Sequence, residues 1–214
     1  MKVVIKIGGS LFMKENGPNP EYMERIIPLL KSVDKEHKLT VITGGGKLVR
    51  EYLKNIKNLD LSDDEKEKII IPLIHANTML FSKTLNKPPV FDMNDFEKEC
   101  VIGGIKPGQS TDTNAANAAK LMDADLLIKL TNVDGIYNKD PNQYDNAKKY
   151  DHLNFKQIMY ADKKTSPGDY GVLDPKAMRI IGKNKITTVV CNGKDPKVIE
   201  KILDGEKIGT KISN

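Results

Sequence analysis

The sequence predicts an α/β protein, a three-layer α/β/α sandwich around a mainly parallel sheet, and two observations carry that expectation. Short apolar runs rich in β-branched residues recur along the chain, at Val3 to Ile7, Leu39 to Thr43, Pro89 to Phe91, Cys100 to Ile102, Leu126 to Leu130 and Ile186 to Cys191. Between them lie longer stretches opened by helix-start chemistry. Alternating strands and helices fold into a parallel sheet with both faces covered, because each crossover to the next parallel strand lays a helix on the sheet.

Each helix start has its own signature. Asn19 precedes Pro20 and Glu21, Asp174 precedes Pro175, and Asp195 precedes Pro196. Ser62 and Asn94 are each followed three residues on by Glu65 and Glu97, the spacing of a capping box. Ser110-Thr111-Asp112 opens a segment whose Ala115, Ala116, Ala118 and Ala119 allow close approach to a sheet. No repeat, low-complexity tract or linker interrupts the 214 residues, so one domain is expected over 1–214.

Composition narrows the classes. With 39% hydrophobic and 29% charged residues the chain reads as an ordinary globular protein, and no apolar run nears the roughly 20 residues of a membrane span. The start, Met1-Lys2-Val3-Val4-Ile5-Lys6, enters a strand directly and resembles no signal peptide, so a cytoplasmic location is expected. The net charge of +5 is spread, with 34 Lys plus Arg mixed among 29 acids, which argues against a nucleic-acid stripe. Cys100 and Cys191 lack metal or disulfide spacing and read as buried thiols.

In a parallel α/β sheet ligands gather beyond the carboxyl ends of the strands. The unusual residues stand there: Gly8-Gly9-Ser10, Gly44-Gly45-Gly46, Gly103-Gly104 leading to Ser110-Thr111-Asp112, and Thr131-Asn132-Val133-Asp134-Gly135. Glycine amides can approach phosphate oxygens where a Cβ would intrude, and two such turns suggest two phosphate groups. Neither turn fits the GxxxxGK[ST] or GxGxxG patterns. Lys6, inside an apolar strand, either compensates a bound anion or lies on a solvated edge. Asp112 is either an acidic first-turn residue or a carboxylate that orients cations or helps hold a metal.

Taken together, Ile5-Lys6-Ile7-Gly8-Gly9-Ser10, the run Thr43 to Tyr52, the run Gly103 to Asp112, Thr131 to Tyr137 with Asp140-Pro141, and Leu173-Asp174-Pro175 resemble the amino acid kinase superfamily, most closely its archaeal-type uridylate kinases. The match runs in order from Met1 to Gly209-Thr210. The resemblance implies an ATP-dependent kinase whose acceptor already carries a phosphate, UMP first, and a homo-oligomer, by analogy a hexamer. It implies that Lys6 stabilises the transferring phosphoryl group, that Gly8, Gly9 and Gly45 supply amides, and that Asp112 organises the catalytic cations. The second cation would come from Arg179 or Lys176. Donor ATP, carried with Mg2+ and with no protein-held metal, would lie against Gly8, Gly9, Ser10, Thr131, Asn132, Asp134, Gly135, Tyr137, Asp140 and Pro141. The acceptor would lie against Gly44, Gly45, Gly46, Arg50, Ser110 and Thr111.

The chain departs from the uridylate kinase pattern at the acceptor helix. Glu67 and Ile70 stand where that pattern has Asp and Gly, and Ile74 and His75 stand where it has Thr and Arg. An isoleucine in place of glycine fills space a base would need. Two other readings stay open: a kinase of another phosphate-bearing metabolite, such as an isopentenyl phosphate, because of this substituted helix, and a nucleotide-binding storage or regulatory protein without turnover, because Arg179 stands in place of the lysine that the resemblance puts after Asp174-Pro175.

Overall fold

Two parallel strands form the centre of the sheet, and their residues explain the position. β1 (Lys2–Ile7) presents Val3, Val4, Ile5 and Ile7, all inaccessible to solvent, which suits a strand covered on both faces. The structure is a computed structural model and describes residues 1–159 and 172–214. After β1 come the one-turn helix α1 (Gly9–Phe12) and a small antiparallel hairpin of β2 (Met13–Lys14) and β3 (Gly17–Pro18). Then follow α2 (Pro20–Glu36), β4 (Lys38–Thr43), α3 (Gly46–Asn55), α4 (Asp63–Leu85), β5 (Pro89–Val90) and β6 (Val101–Ile102). The second half adds α5 (Thr111–Met122), β7 (Leu126–Thr131), β8 (His152–Asn154), α6 (Phe155–Met159), α7 (Pro175–Asn184), β9 (Thr188–Asn192), α8 (Val198–Leu203) and β10 (Thr210–Ser213).

Eight strands form one sheet in the order β5-β6-β4-β1-β7-β9-β10-β8, parallel throughout except where β10 runs against β9. Side chains alternate across it and build two cores. Val3, Ile5 and Ile7 pack with Phe12, Ile26, Leu30, Phe81 and Ile199, from α1, α2, α4 and α8. On the other face Val4, Ile42, Leu127 and Val190 meet Ala115, Ala119, Ile158, Met178 and Ile181, from α5, α6 and α7. This is the three-layer sandwich that the apolar periodicity predicts.

All six strands expected from apolar runs are present. The helix starts fare unevenly. Ser62 and Glu65 form the full capping box of α4, and Asp174 caps α7. Asn94 and Glu97 do not open an α-helix: the chain makes only a 3₁₀ turn over Met93–Asp95, where Asp92 accepts the amide of Asn94 at 2.9 Å. Too few residues separate that turn from β6 for a helix to pack. At Asp195-Pro196 the carboxylate accepts the amide of Lys197 at 3.2 Å, but α8 begins only at Val198. Both cysteines are buried free thiols. Among the described residues no helix is long and apolar enough to cross a membrane.

Candidate active site

Because β1, β4, β6 and β7 are mutually parallel, their carboxyl ends open along one edge of the sheet. A cleft of about 360 Å³ lies there. Its walls include Gly8, Gly9 and Ser10 after β1, Gly44, Gly45, Gly46 and Arg50 from the β4 turn and α3, and Thr131, Asn132 and Asp140 after β7. Lys6, Thr111 and Asp112 also line it.

The two glycine turns are packed backbone against backbone. A Cβ added to Gly9 would stand 2.1 Å from the amide nitrogen of Gly46, and one added to Gly46, which has φ +73°, would stand 2.5 Å from the carbonyl oxygen of Gly9. Side chains there would force β1 and β4 apart at their ends. The Gly8 amide is already donated to the carbonyl of Leu130 at 2.9 Å, so it closes the sheet at this point.

Three charged groups form the floor. Lys6 on β1 and Lys129 on β7 are register partners on neighbouring strands. Their side chains are only 8% and 5% exposed as residues, and both meet Asp112 in the first turn of α5. Lys6 Nζ lies 3.0 Å from Asp112 Oδ1 as an ion pair, and Lys129 Nζ donates a short hydrogen bond to Oδ2. Burial pushes the Asp112 pKa upward, but the charges of Lys129 and Lys6 overcome it and hold the carboxyl at about 2. Burial is also the largest influence on Lys129: opposed by Asp112 and reinforced by the repulsion of Lys6, it brings the ammonium down to about 8. Two buried cations sharing one carboxylate leave net positive charge facing the cleft, the condition for an anion to bind.

Lys129 was not among the residues singled out from the sequence, although it carries the same signal as Lys6, a lysine inside a buried apolar strand. Arg179 and Lys176, one or the other of which is expected to supply the second cation, lie exposed on α7 and do not line the cleft. Ser110, expected at the acceptor, does not line it either; its hydroxyl accepts the Thr113 amide at 3.0 Å and donates to Asp174. Asp134 accepts from Asn192 Nδ2 at 2.8 Å, tying the β7 turn to the end of β9. Gly135 lies against Thr210, and Tyr137 pairs across an isolated bridge with Lys149. These three and Pro141 stand outside the cleft lining.

One helix, α4, holds both the β4 turn and the 103–110 turn. Asn77 on α4 donates to the carbonyl of Gly44 at 3.0 Å. Glu67 accepts the amide of Gly108, and His75 Nε2 lies 2.8 Å from the carbonyl oxygen of Gly104. Ile74 packs where a Cβ on Gly104 would come within 3.2 Å of its Cδ1. The residues that depart from the uridylate kinase pattern therefore serve, in part, to fasten the 103–110 turn to α4.

The amino acid kinase family model matches residues 1–88 and 98–192. The chain belongs to the amino acid kinase family. Within that family it is 36% identical over 224 residues to a uridylate kinase of Archaeoglobus fulgidus, each chain being covered in full. It is 34% identical over 226 residues to a uridylate kinase of Methanobrevibacter smithii, with 99% of each covered. Superposition on the crystal structure of the Archaeoglobus fulgidus uridylate kinase covers 100% of both chains with a TM-score of 0.85 and 33% identity.

Proposed function

We propose that this protein is an ATP-dependent kinase that transfers the γ-phosphoryl group of ATP to UMP, giving UDP and ADP. The observation that carries the reading is the Lys6–Asp112–Lys129 cluster at the floor of a cleft walled by two glycine turns. Full-length similarity to uridylate kinases supports UMP as the acceptor.

The chemistry follows from the charges. A phosphate monoester has its second pKa near about 6, so the acceptor oxygen is already anionic at neutral pH and needs no general base. Asp112, held at about 2 and engaged by two lysines, is suited to orienting cations and not to taking a proton. An acceptor phosphate oxygen attacks the γ-phosphorus in line, the bond to the bridging oxygen breaks, and its electron pair leaves on ADP. Charge on the bridging and transferred oxygens grows during this step. Lys6 and Lys129 neutralise it, while the turns at Gly9 and Gly45 and the residues Ser10, Thr131, Asn132 and Asp140 position the donor. Arg50, Thr111, Gly44 and Gly46 face the acceptor phosphate.

Mg2+ would enter with the donor triphosphate and would supply further positive charge against it. Asp112 is engaged by two ammonium groups, so its charge is taken up by cations of the chain itself. The same reading makes the protein a cytoplasmic homo-oligomer, a hexamer by resemblance. A coupled ADP-release assay over UMP, CMP, isopentenyl phosphate, aspartate, glutamate and carbamate tests the function. UMP turnover well above all others is expected; efficient turnover of a carboxylate, or none of any acceptor, would overturn it.

A further inference from the structure

Asp174 is a carboxylate that this mechanism does not use, and it stands at the junction of two helices. As the N-cap of α7 it accepts the backbone amides of Lys176 and Ala177, both at 2.9 Å. The same side chain reaches across to α5. Thr113 Oγ1 donates to it at 3.1 Å, and Ser110 Oγ donates through a short contact. Ser110 is itself the N-cap of α5, accepting the Thr113 amide at 3.0 Å. One carboxylate thus ties together two helix starts, and Asp112 lies in sequence between the two hydroxyl residues it holds.

Capping α7 alone would need none of the contacts to α5. A negative charge close to a site that binds phosphates is also unfavourable unless nearby cations require it. The groups whose charges act on Lys129 are Asp112 from α5, Lys6 from β1 and Asp174 from the start of α7. Asp112 alone sets one negative charge against two buried ammonium groups. Asp174 adds a weaker favourable charge at Lys129 and leaves the excess of positive charge at the cleft in place.

We propose that Asp174 is a positioning residue for phosphoryl transfer: it locks the start of α5, and with it Asp112, against the two strand lysines, and adds its negative charge to the field that keeps Lys129 protonated. Its kinetic consequences rest on the phosphotransfer reading, whereas its electrostatic consequence at Lys129 does not.

Asp174→Asn isolates the charge. The amide oxygen still accepts from Lys176 and Ala177, and the Ser110 and Thr113 hydroxyls can reverse to accept from the amide nitrogen. The variant should melt within about 2 °C of the parent, since Asn caps about as well as Asp. Its kcat for UMP should fall about tenfold, less than for a group touching the transferred phosphoryl, with both KM values within about threefold. The alkaline limb of its kcat/KM profile should move to lower pH, because removing a negative charge makes Lys129 lose its proton more readily. Asp174→Ala should lose both melting temperature and rate. An Asn variant with parental kcat and an unmoved limb would reduce Asp174 to a helix cap, and a change confined to the KM for UMP would make it an acceptor ligand; either overturns the proposal. NMR titration of 13C-lysine-labelled protein without substrate, with the Lys129 signal assigned by Lys129→Gln, reads the same displacement independently of turnover. If the parent does not act on UMP, the functional reading falls, and this titration still decides: a downward displacement supports the role of Asp174 and an unchanged one refutes it.

Discussion

Lys6 and Lys129 sit side by side as register partners on β1 and β7, and one carboxylate, Asp112, bridges both. Parallel pairing puts residues of equal register on the same face, so the spacing of the two ammonium groups is fixed by the sheet and not by flexible loops. Such cations are prepaid electrostatic partners for charge that develops only as the phosphoryl group moves.

It follows that either lysine should matter more to kcat than to KM. Lys6→Ala and Lys129→Ala should each lower kcat about 100-fold or more, the scale of losing one preorganised partner, with smaller changes in the KM for ATP. The double variant should lose less than the product of the two, because both act through Asp112 on the same charge. Steady-state kinetics of the four proteins checks this; near-parental kcat in either single variant removes that lysine from the mechanism.

The pH dependence separates free enzyme from complex. Lys129, brought down to about 8 chiefly by burial, is protonated below that pH and neutral above it. The kcat/KM profile, which reports the free enzyme, should therefore fall above about pH 8. Bound phosphate favours the ammonium, so the limb of the kcat profile should lie at higher pH. Coincident limbs would mean that Lys129 does not meet the substrate.

Much of the architecture was legible because buried parallel strands read as continuous apolar runs. β8 and β10 were not: the four residues Thr-Lys-Ile-Ser of β10 hold a single apolar side chain, Ile212, and gain their place by pairing with β9 and β8. Glycine turns announced the cleft, since a missing side chain is visible in the sequence. Lys129 carries the same signal as Lys6, a lysine inside an apolar strand, but no glycine turn follows it directly to mark a phosphate site. The role of α4 had no local trace at all, because Asn77 meets a carbonyl 33 residues away and Glu67 an amide 41 residues away.

Asp112 should contribute to stability as well as rate. Asp112→Asn still suits a helix start, but it leaves two buried ammonium groups with no carboxylate between them, a loss of about 3–5 kcal/mol for a broken buried pair. The sign with pH is definite. In the variant Lys129 is depressed further in the folded state than when unfolded, so the unfolded chain binds more protons above that lowered pKa and stability rises with pH through the window up to about 10. In the parent, the depressed Asp112 contributes stability that is present above about pH 4 and lost as pH falls towards about 2. Denaturant melts at pH 7 and pH 9.5 should show the variant recovering part of its deficit at the higher value. A deficit that is the same at both would show that the lysines do not need Asp112.

Arg50 tests the acceptor side. It lines the cleft from the second turn of α3, beside Gly44, Gly45 and Gly46, on the helix that starts from that glycine turn. Its neighbour in the same helix, Lys47, lies 3.7 Å from Glu15 in an exposed pair and is drawn toward the β2–β3 hairpin. Arg50 thus remains the guanidinium on that wall, and its planar fork matches two oxygens of a phosphate. Hydrogen bonds to a charged group are worth about 1.5–3 kcal/mol, which corresponds to about a 10- to 150-fold change in an equilibrium constant. Arg50→Ala should therefore raise the KM for UMP at least about tenfold while moving the KM for ATP by less than about threefold. Because the side chain is exposed, the melting temperature should stay close to the parent, so the effect would report binding and not folding. A rise confined to ATP would assign the β4 turn to the donor and leave the acceptor phosphate to Thr111 and the 103–110 turn.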